Sequence, residues 1–198
     1  MLRLGNVEER AVCHVMKRQV DKSLDEEQLN QIMDFHGEYL IRLAYFYVKD
    51  WSAAEDILQE VLITFYRKSN QFEHRSSLKT YLSKITINKC HDHLRSWKNK
   101  RSLFTESIGN LISMSKSPEE AYVQQAEHTN LTQQVMELPI KYREVILLFY
   151  YQEFTSIEIS KLLDCSENTV KTRLRRAKGL LRDKIDPEEW EGLADEQI

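Results

Sequence analysis

The sequence predicts an all-α protein, two small helical domains joined by a flexible linker, with a helix-turn-helix in the C-terminal domain. Three observations carry this expectation. Only 5 Gly and 3 Pro are spread over 198 residues, too few for turn-rich sheet architectures, while Leu, Ile, Glu, Lys, Arg and Gln dominate and favour helices. Apolar residues return every three or four positions along most of the chain, the period of a helix with one buried face. Between Ser102 and Lys116 that period fades into Ser, Asn and Gly, the composition of a linker. With 41% hydrophobic and 30% charged residues the chain has the material for a core and is not disordered.

Residues 1–26 read as a polar N-terminal extension, with Leu4, Val7, Ala11 and Val15 spaced for a short helix. A first domain is expected over 27–101. Its first helix begins near Leu29, runs through Ile32, Phe35, Leu40, Leu43 and Tyr47, and ends at Lys49-Asp50. A second follows Ser52, with Ile57, Leu58, Val61, Leu62 and Phe65 on a broad stripe. Ser76 or Ser77 caps a third, whose stripe of Leu78, Tyr81, Leu82 and Ile85 drifts through Ile87, Cys90 and Leu94. The linker is 102–116. In the second domain, 117–185, Ser117-Pro118-Glu119-Glu120 has the residues of a capping box with Pro at the first helical position, opening a helix to Glu137. Pro139 opens the next, Lys141 to Tyr151, whose run Val145–Phe149 marks a buried core helix. Helices over Ser156–Leu163 and Glu167–Lys184 follow, separated by Asp164-Cys165-Ser166. The tail, 186–198, holds six acids and no base and is expected to be solvated.

Charge gives the first functional clue. The net charge of -3 conceals two basic segments. Over 74–101 Arg75, Lys79, Lys84, Lys89, Arg95, Lys98, Lys100 and Arg101 face the single acid Asp92; over 166–184 Lys171, Arg173, Arg175, Arg176, Lys178, Arg182 and Lys184 face Glu167 and Asp183. Two such segments far apart in sequence fit two contacts with a polyanion.

The last two helices and their three-residue turn have the dimensions of a DNA-binding helix-turn-helix. Val170, Leu174, Ala177 and Leu181 share one stripe, which must pack inward and forces Asn168, Lys171, Thr172, Arg175 and Arg182 outward. The first turns of such a helix enter a major groove most deeply. Asn168, Lys171, Thr172 and Arg175 are therefore candidates for base edges, and Arg173, Arg176 and Lys178 for the phosphate backbone.

Leu138-Pro139, Tyr142-Arg143-Glu144-Val145, Glu158-Ile159, Leu162-Leu163 and Thr169-Val170-Lys171-Thr172-Arg173-Leu174, with Arg176-Ala177, resemble the domain of bacterial RNA polymerase sigma factors that binds the minus-thirty-five promoter element. The turn departs from that family, where glycines are usual, by carrying Asp164 and Asn168, residues that tolerate left-handed backbone. In the first domain, Ala53-Ala54-Glu55-Asp56-Ile57-Leu58-Gln59-Glu60 sets Asp56, Gln59 and Glu60 on one helix edge beside the buried stripe. This resembles the sigma-factor helix that docks on the clamp helices of the polymerase. Phe72 and the stretch Leu78–Arg95 are similar to the family's element for the minus-ten region, with Tyr81-Leu82 where Trp-Leu is common. The resemblance implies that Asn70, His74, Arg75, Ser76, Lys79, Lys84, Asn88 and Arg95 serve that element, holding phosphates of the opened strand and lining a base pocket at the Phe72–Ser77 turn.

The similarity spans about residues 29 to 184 in the order of the extracytoplasmic-function group of sigma factors. It implies core RNA polymerase, promoter DNA and an anti-sigma factor as partners, and a role in promoter recognition, DNA opening and initiation. The alternative is a dimeric helix-turn-helix regulator, which has no need of the Asp56-Gln59-Glu60 edge.

An enzyme is not expected, because no glycine-rich phosphate loop, nucleophile elbow or HExxH occurs, and no cofactor is implied. Consecutive Cys90-His91-Asp92-His93 point in different directions on a helix, so Cys90 reads as part-buried and no metal site is expected. The longest apolar run, Val145–Tyr151, is far below the about 20 residues of a membrane span, and acids and Arg interrupt the N-terminus where a signal peptide is apolar. With Cys13, Cys90 and Cys165 forming no CxxC pair, a cytoplasmic protein with reduced thiols is expected.

Overall fold

The structure is a computed structural model that describes residues 26–69, 72, 76–104 and 130–184. The N-terminal extension, the linker from 105 on, the capping box at Ser117, the acidic tail and the side chains of Asn70, His74, Arg75, Lys100 and Arg101 lie outside the described residues. Seven helices are described and no strand is found among the described residues.

Three helices build the first domain. Helix α1 (Glu26–Val48) buries Ile32, His36, Leu40, Leu43, Ala44 and Tyr47. Lys49 then takes a left-handed φ of 61° and turns the chain into α2 (Trp51–Lys68). The cap of α2 is Asp50, whose carboxylate accepts from the Ala53 amide at 2.9 Å, so the helix takes in Ser52 instead of following it. Helix α2 inserts Ala54, Ile57, Leu58, Val61 and Phe65 into the core. Helix α3 (Leu78–Phe104) starts where Ser77 accepts from the Thr80 amide at 3.0 Å, and it continues three residues beyond the expected domain end at 101. It buries Leu78, Leu82, Ile87 and Cys90. Cys90 is therefore wholly inside, not part-buried, and burial pushes its thiol up to about 12.

The second domain opens with α4 (Asn130–Glu137), the described end of the helix expected from Ser117. Helix α5 (Ile140–Ile146) follows Pro139, and its backbone widens into a π turn over Leu147–Tyr151 instead of remaining α-helical. The wide turn sets the Tyr151 ring 5.6 Å from Phe46 of α1. Helix α6 (Ser156–Leu162) begins with a complete capping box between Thr155 and Glu158. Asp164 takes the left-handed conformation, φ 49°, that the turn requires, whereas Asn168 lies inside the next helix and plays no part in the turn. Ser166 caps α7 (Glu167–Arg182) by accepting from the Thr169 amide at 3.1 Å. Val170, Leu174, Ala177 and Leu181 of α7 are all at 0% exposure, so the expected stripe is the buried one. At roughly 1.5–3 kcal/mol for each large aliphatic side chain, that seam anchors the orientation of the helix.

The two domains touch. Arg143 of α5 donates to the Tyr47 carbonyl at 3.1 Å and, within its own domain, to the Met136 carbonyl at 2.7 Å. Lys84 of α3 donates to the Leu162 and Lys161 carbonyls at 2.7 and 3.2 Å and to the Asp164 carboxylate at 2.6 Å. A cation thus closes the carbonyl end of α6, where the helix dipole favours positive charge.

Candidate nucleic-acid interface

The outward face of α7 follows from its buried seam. Asn168, Lys171, Arg175 and Arg176 are exposed, while Thr172 is half-buried at the edge of the face. Lys171 meets Glu167 one turn back at 2.9 Å, an i,i+4 pair with both partners near half exposure. Such a pair contributes little, about 0.3–0.5 kcal/mol, and leaves the ammonium able to exchange its partner for an anion. Lys178 is half-buried with its ammonium 5.4 Å from the Tyr150 ring centre.

Arg173 departs from its expected role. Its guanidinium turns back into the domain and pairs with Glu144 at 2.9 Å, so it is not a free backbone clamp. Glu144, 7% exposed at its side chain, also meets His91 at 3.2 Å and accepts from the Tyr47 hydroxyl at 3.4 Å. Burial first, then this carboxylate, hold the Tyr47 phenol well above its ordinary pKa, so it stays protonated and donates. One buried carboxylate therefore ties the recognition helix to both α1 and α3. This network leaves little trace in the sequence, only Glu144 directly before the buried run and Arg173 bordering the buried stripe.

The basic face of α3 is split. Asn88 and Arg95 are exposed, Arg95 lying 3.4 Å from Asp92, and Ser76 is exposed at the head of the helix. Lys79 and Lys84, expected to hold minus-ten phosphates, are instead engaged by the second domain. Lys79 donates to the Gln152 carbonyl at 2.9 Å and lies over the Tyr39 and Phe154 rings, and Lys84 is consumed at the end of α6. Main-chain carbonyls of the other domain occupy the donors that phosphates would need. At the turn before α3, the Phe72 and Tyr81 rings lie 4.8 Å apart, with Phe65 at 6.1 Å from Tyr81 behind them.

On α2, Asp56, Gln59 and Glu60 are all exposed along one edge, and Glu60 receives Lys89 of α3 at 2.8 Å. Ile63 and Tyr66 continue that edge, about half exposed; Ile63 lies four and three positions on from Gln59 and Glu60, and Tyr66 three on from Ile63. In Cys90-His91-Asp92-His93 the side chains diverge as expected, Cys90 into the core, His91 to Glu144 and Asp92 toward Arg95. Among the described residues no three His, Cys, Asp or Glu are placed to share a metal ion, and no helix is long and apolar enough to cross a membrane.

Two family models match this arrangement, one for each domain. Residues 32–101 match Sigma-70 region 2, and residues 128–181 match Sigma-70, region 4. The ECF RNA polymerase sigma factor SigW of Bacillus subtilis is 31% identical over 176 residues, which cover 85% of this chain and 94% of SigW. The chain belongs to the extracytoplasmic-function sigma factors of bacterial RNA polymerase. SigV of the same organism, also 31% identical, is covered over 98% of its length. The fold of this sigma factor is similar to that of the sigma factor RpoE of Bartonella quintana, solved with the anti-sigma factor NepR, at a TM-score of 0.63 and 20% identity, over 78% of this chain and 94% of that one. As a sigma factor the chain directs RNA polymerase to promoters, and a dimeric regulator is not favoured.

Proposed function

We propose that this sigma factor divides its task between its domains along the boundaries 27–101 and 117–185, joined by 102–116. The Asp56-Gln59-Glu60 edge of α2 docks on core polymerase. Helix α3 and the turn before it, through Asn70, His74, Arg75, Ser76, Lys79, Lys84, Asn88 and Arg95, hold the opened minus-ten strand. Helix α7 reads the minus-thirty-five element, with Asn168, Lys171, Thr172 and Arg175 toward bases and Arg176 and Lys178 toward phosphates. The observation that carries this reading is the pairing of two exposed faces of opposite character: a basic face forced outward by the buried seam of α7, and an acidic, amide-bearing edge on α2.

Engagement of Lys79 and Lys84 by the second domain supports a closed free chain, in which polymerase docking separates the domains before the minus-ten lysines meet DNA. The protein works by binding and positioning, not as an enzyme, in the cytoplasm where its polymerase is. An anti-sigma factor that holds the domains together is the expected inhibitor, a reading supported by the complex in which the similar RpoE was solved. Co-purification with core polymerase in equimolar amounts tests the assignment. Recovery of a homodimer that ignores polymerase would refute it.

A further inference from the structure

Beside the recognition helix, a cleft of about 380 Å³ opens between the start of α5 and the first turns of α7. Lys141 and Tyr142 line it from α5; Asn168, Thr169, Thr172 and Arg176 line it from α7. Arg173 also reaches the cleft, but its charge is matched by Glu144. Lys141 and Arg176 are exposed, and neither forms an ion pair among the described residues. The cleft therefore carries two uncompensated cations, together with threonine hydroxyls and a phenol. The Lys141 ammonium lies 5.0 Å from the Tyr142 ring centre, and a hydrogen bond from Arg176 draws the half-buried Tyr142's phenol below its ordinary pKa. Both contacts gather positive charge where α5 meets the recognition helix.

Resting on the reading of α7 as the promoter helix, the geometry points to this cleft as a seat for one phosphodiester group of the promoter duplex, gripped by Lys141 and Tyr142 of α5 and Arg176 of α7. The position selects the ligand. Asn168 and Thr172 line the cleft and also stand on the base-reading face, so an anion here lies next to the bases being read. A helix lodged in a major groove about 12 Å wide has a phosphate strand on either flank, and the flank on the α5 side falls at this cleft. Such a contact carries no base information. It fixes the register and tilt of α7, which decide the base pairs that Lys171 and Arg175 face. Lys141 and Tyr142 thus become promoter contacts although they lie on the helix that precedes the helix-turn-helix.

The test uses holoenzyme reconstituted with the full chain and a promoter duplex, titrated over a range of salt. Lys141→Ala removes an exposed cation without touching the core, and Tyr142→Phe keeps the ring and deletes only the hydroxyl. Lys141→Ala is expected to lower the salt slope by about 0.9 and affinity by about fivefold at 0.15 M salt, the value of one released counterion, equally on different promoters. A set of duplexes, each with one phosphate replaced by a neutral methylphosphonate, should include one that weakens wild type by a similar factor and leaves the Lys141→Ala protein unaffected. Unchanged affinity and slope in Lys141→Ala, alongside a clear loss in Lys171→Ala, would overturn the phosphate seat and leave the role of α7 intact. A Lys141→Ala effect confined to particular base pairs would overturn it in favour of base contact. If Lys171→Ala and Arg175→Ala are silent as well, the reading of α7 itself falls, and the seat with it.

Discussion

Glu144→Gln removes the charge at the hub of the interdomain network while keeping the side chain's size. In the native protein the carboxylate is 7% exposed and faces Arg173 at 2.9 Å, His91 at 3.2 Å and the Tyr47 hydroxyl at 3.4 Å. Breaking a buried pair by removing one partner costs about 3–5 kcal/mol, because the other charge is left without compensation. The Arg173 side chain is 28% exposed, so water recovers part of the lost interaction, and the amide oxygen of Gln still accepts one hydrogen bond. The expected loss is then about 2–3 kcal/mol in urea unfolding followed by far-ultraviolet circular dichroism. A double-mutant cycle with Arg173→Met should give a coupling of about 1–2 kcal/mol, smaller than the whole loss because His91 and Tyr47 of the first domain share the carboxylate. A Glu144→Gln protein within about 0.5 kcal/mol of wild type would refute the view that this carboxylate clasps the domains.

Charge reversal at Asp56 and Glu60 should abolish association with core polymerase in pull-down while leaving the helical spectrum intact, since both side chains are exposed and the Glu60–Lys89 pair is a surface one. Lys171→Ala or Arg175→Ala in the holoenzyme should cost about 1–3 kcal/mol and relax preference at particular upstream base pairs, whereas Lys178→Ala should weaken all promoters alike; promoter-library selection distinguishes the two patterns. Burial, reinforced by the nearby Lys79 ammonium, lowers His36 from 6.5 to about 4. The folded state therefore binds this proton less readily than the unfolded chain: the stabilisation is complete above pH 6.5 and is lost as pH falls toward 4, amounting to about 3 kcal/mol. His36→Leu should flatten that part of the stability–pH curve, and an unchanged slope would rule the residue out.

The helix order and the buried seam of α7 were legible because each rests on local spacing. Val170, Leu174, Ala177 and Leu181 recur at four, three and four positions, and all four are buried. Boundaries were less secure where two capping residues compete: Asp50 and Ser52 are both good caps, and only the φ of 61° at Lys49, which turns the chain there, favours Asp50. Side-chain contacts were hidden where the partner is distant. Lys79 and Lys84 stand on a basic helix face like any phosphate-binding lysine, and their carbonyl partners lie 73 and 78 residues away, with no periodic trace in the sequence. Arg173 sits among five other cations on α7, and its inward turn is set by Glu144, 29 residues earlier. The signal for it was present but weak, a carboxylate next to a core run facing a cation at the edge of a core stripe. The α5 side of the recognition cleft was equally hidden, because Lys141 and Tyr142 meet α7 only through the tertiary fold.

On the proposed reading this sigma factor acts on promoters as a subunit of polymerase and is latent alone, with Lys79 and Lys84 tied to the other domain. A gel-shift titration of promoter duplex at near-physiological salt, with and without core polymerase, decides the point. A sequence-specific shift only when core polymerase is present is the predicted result, and sub-micromolar specific binding by the purified protein alone would contradict it.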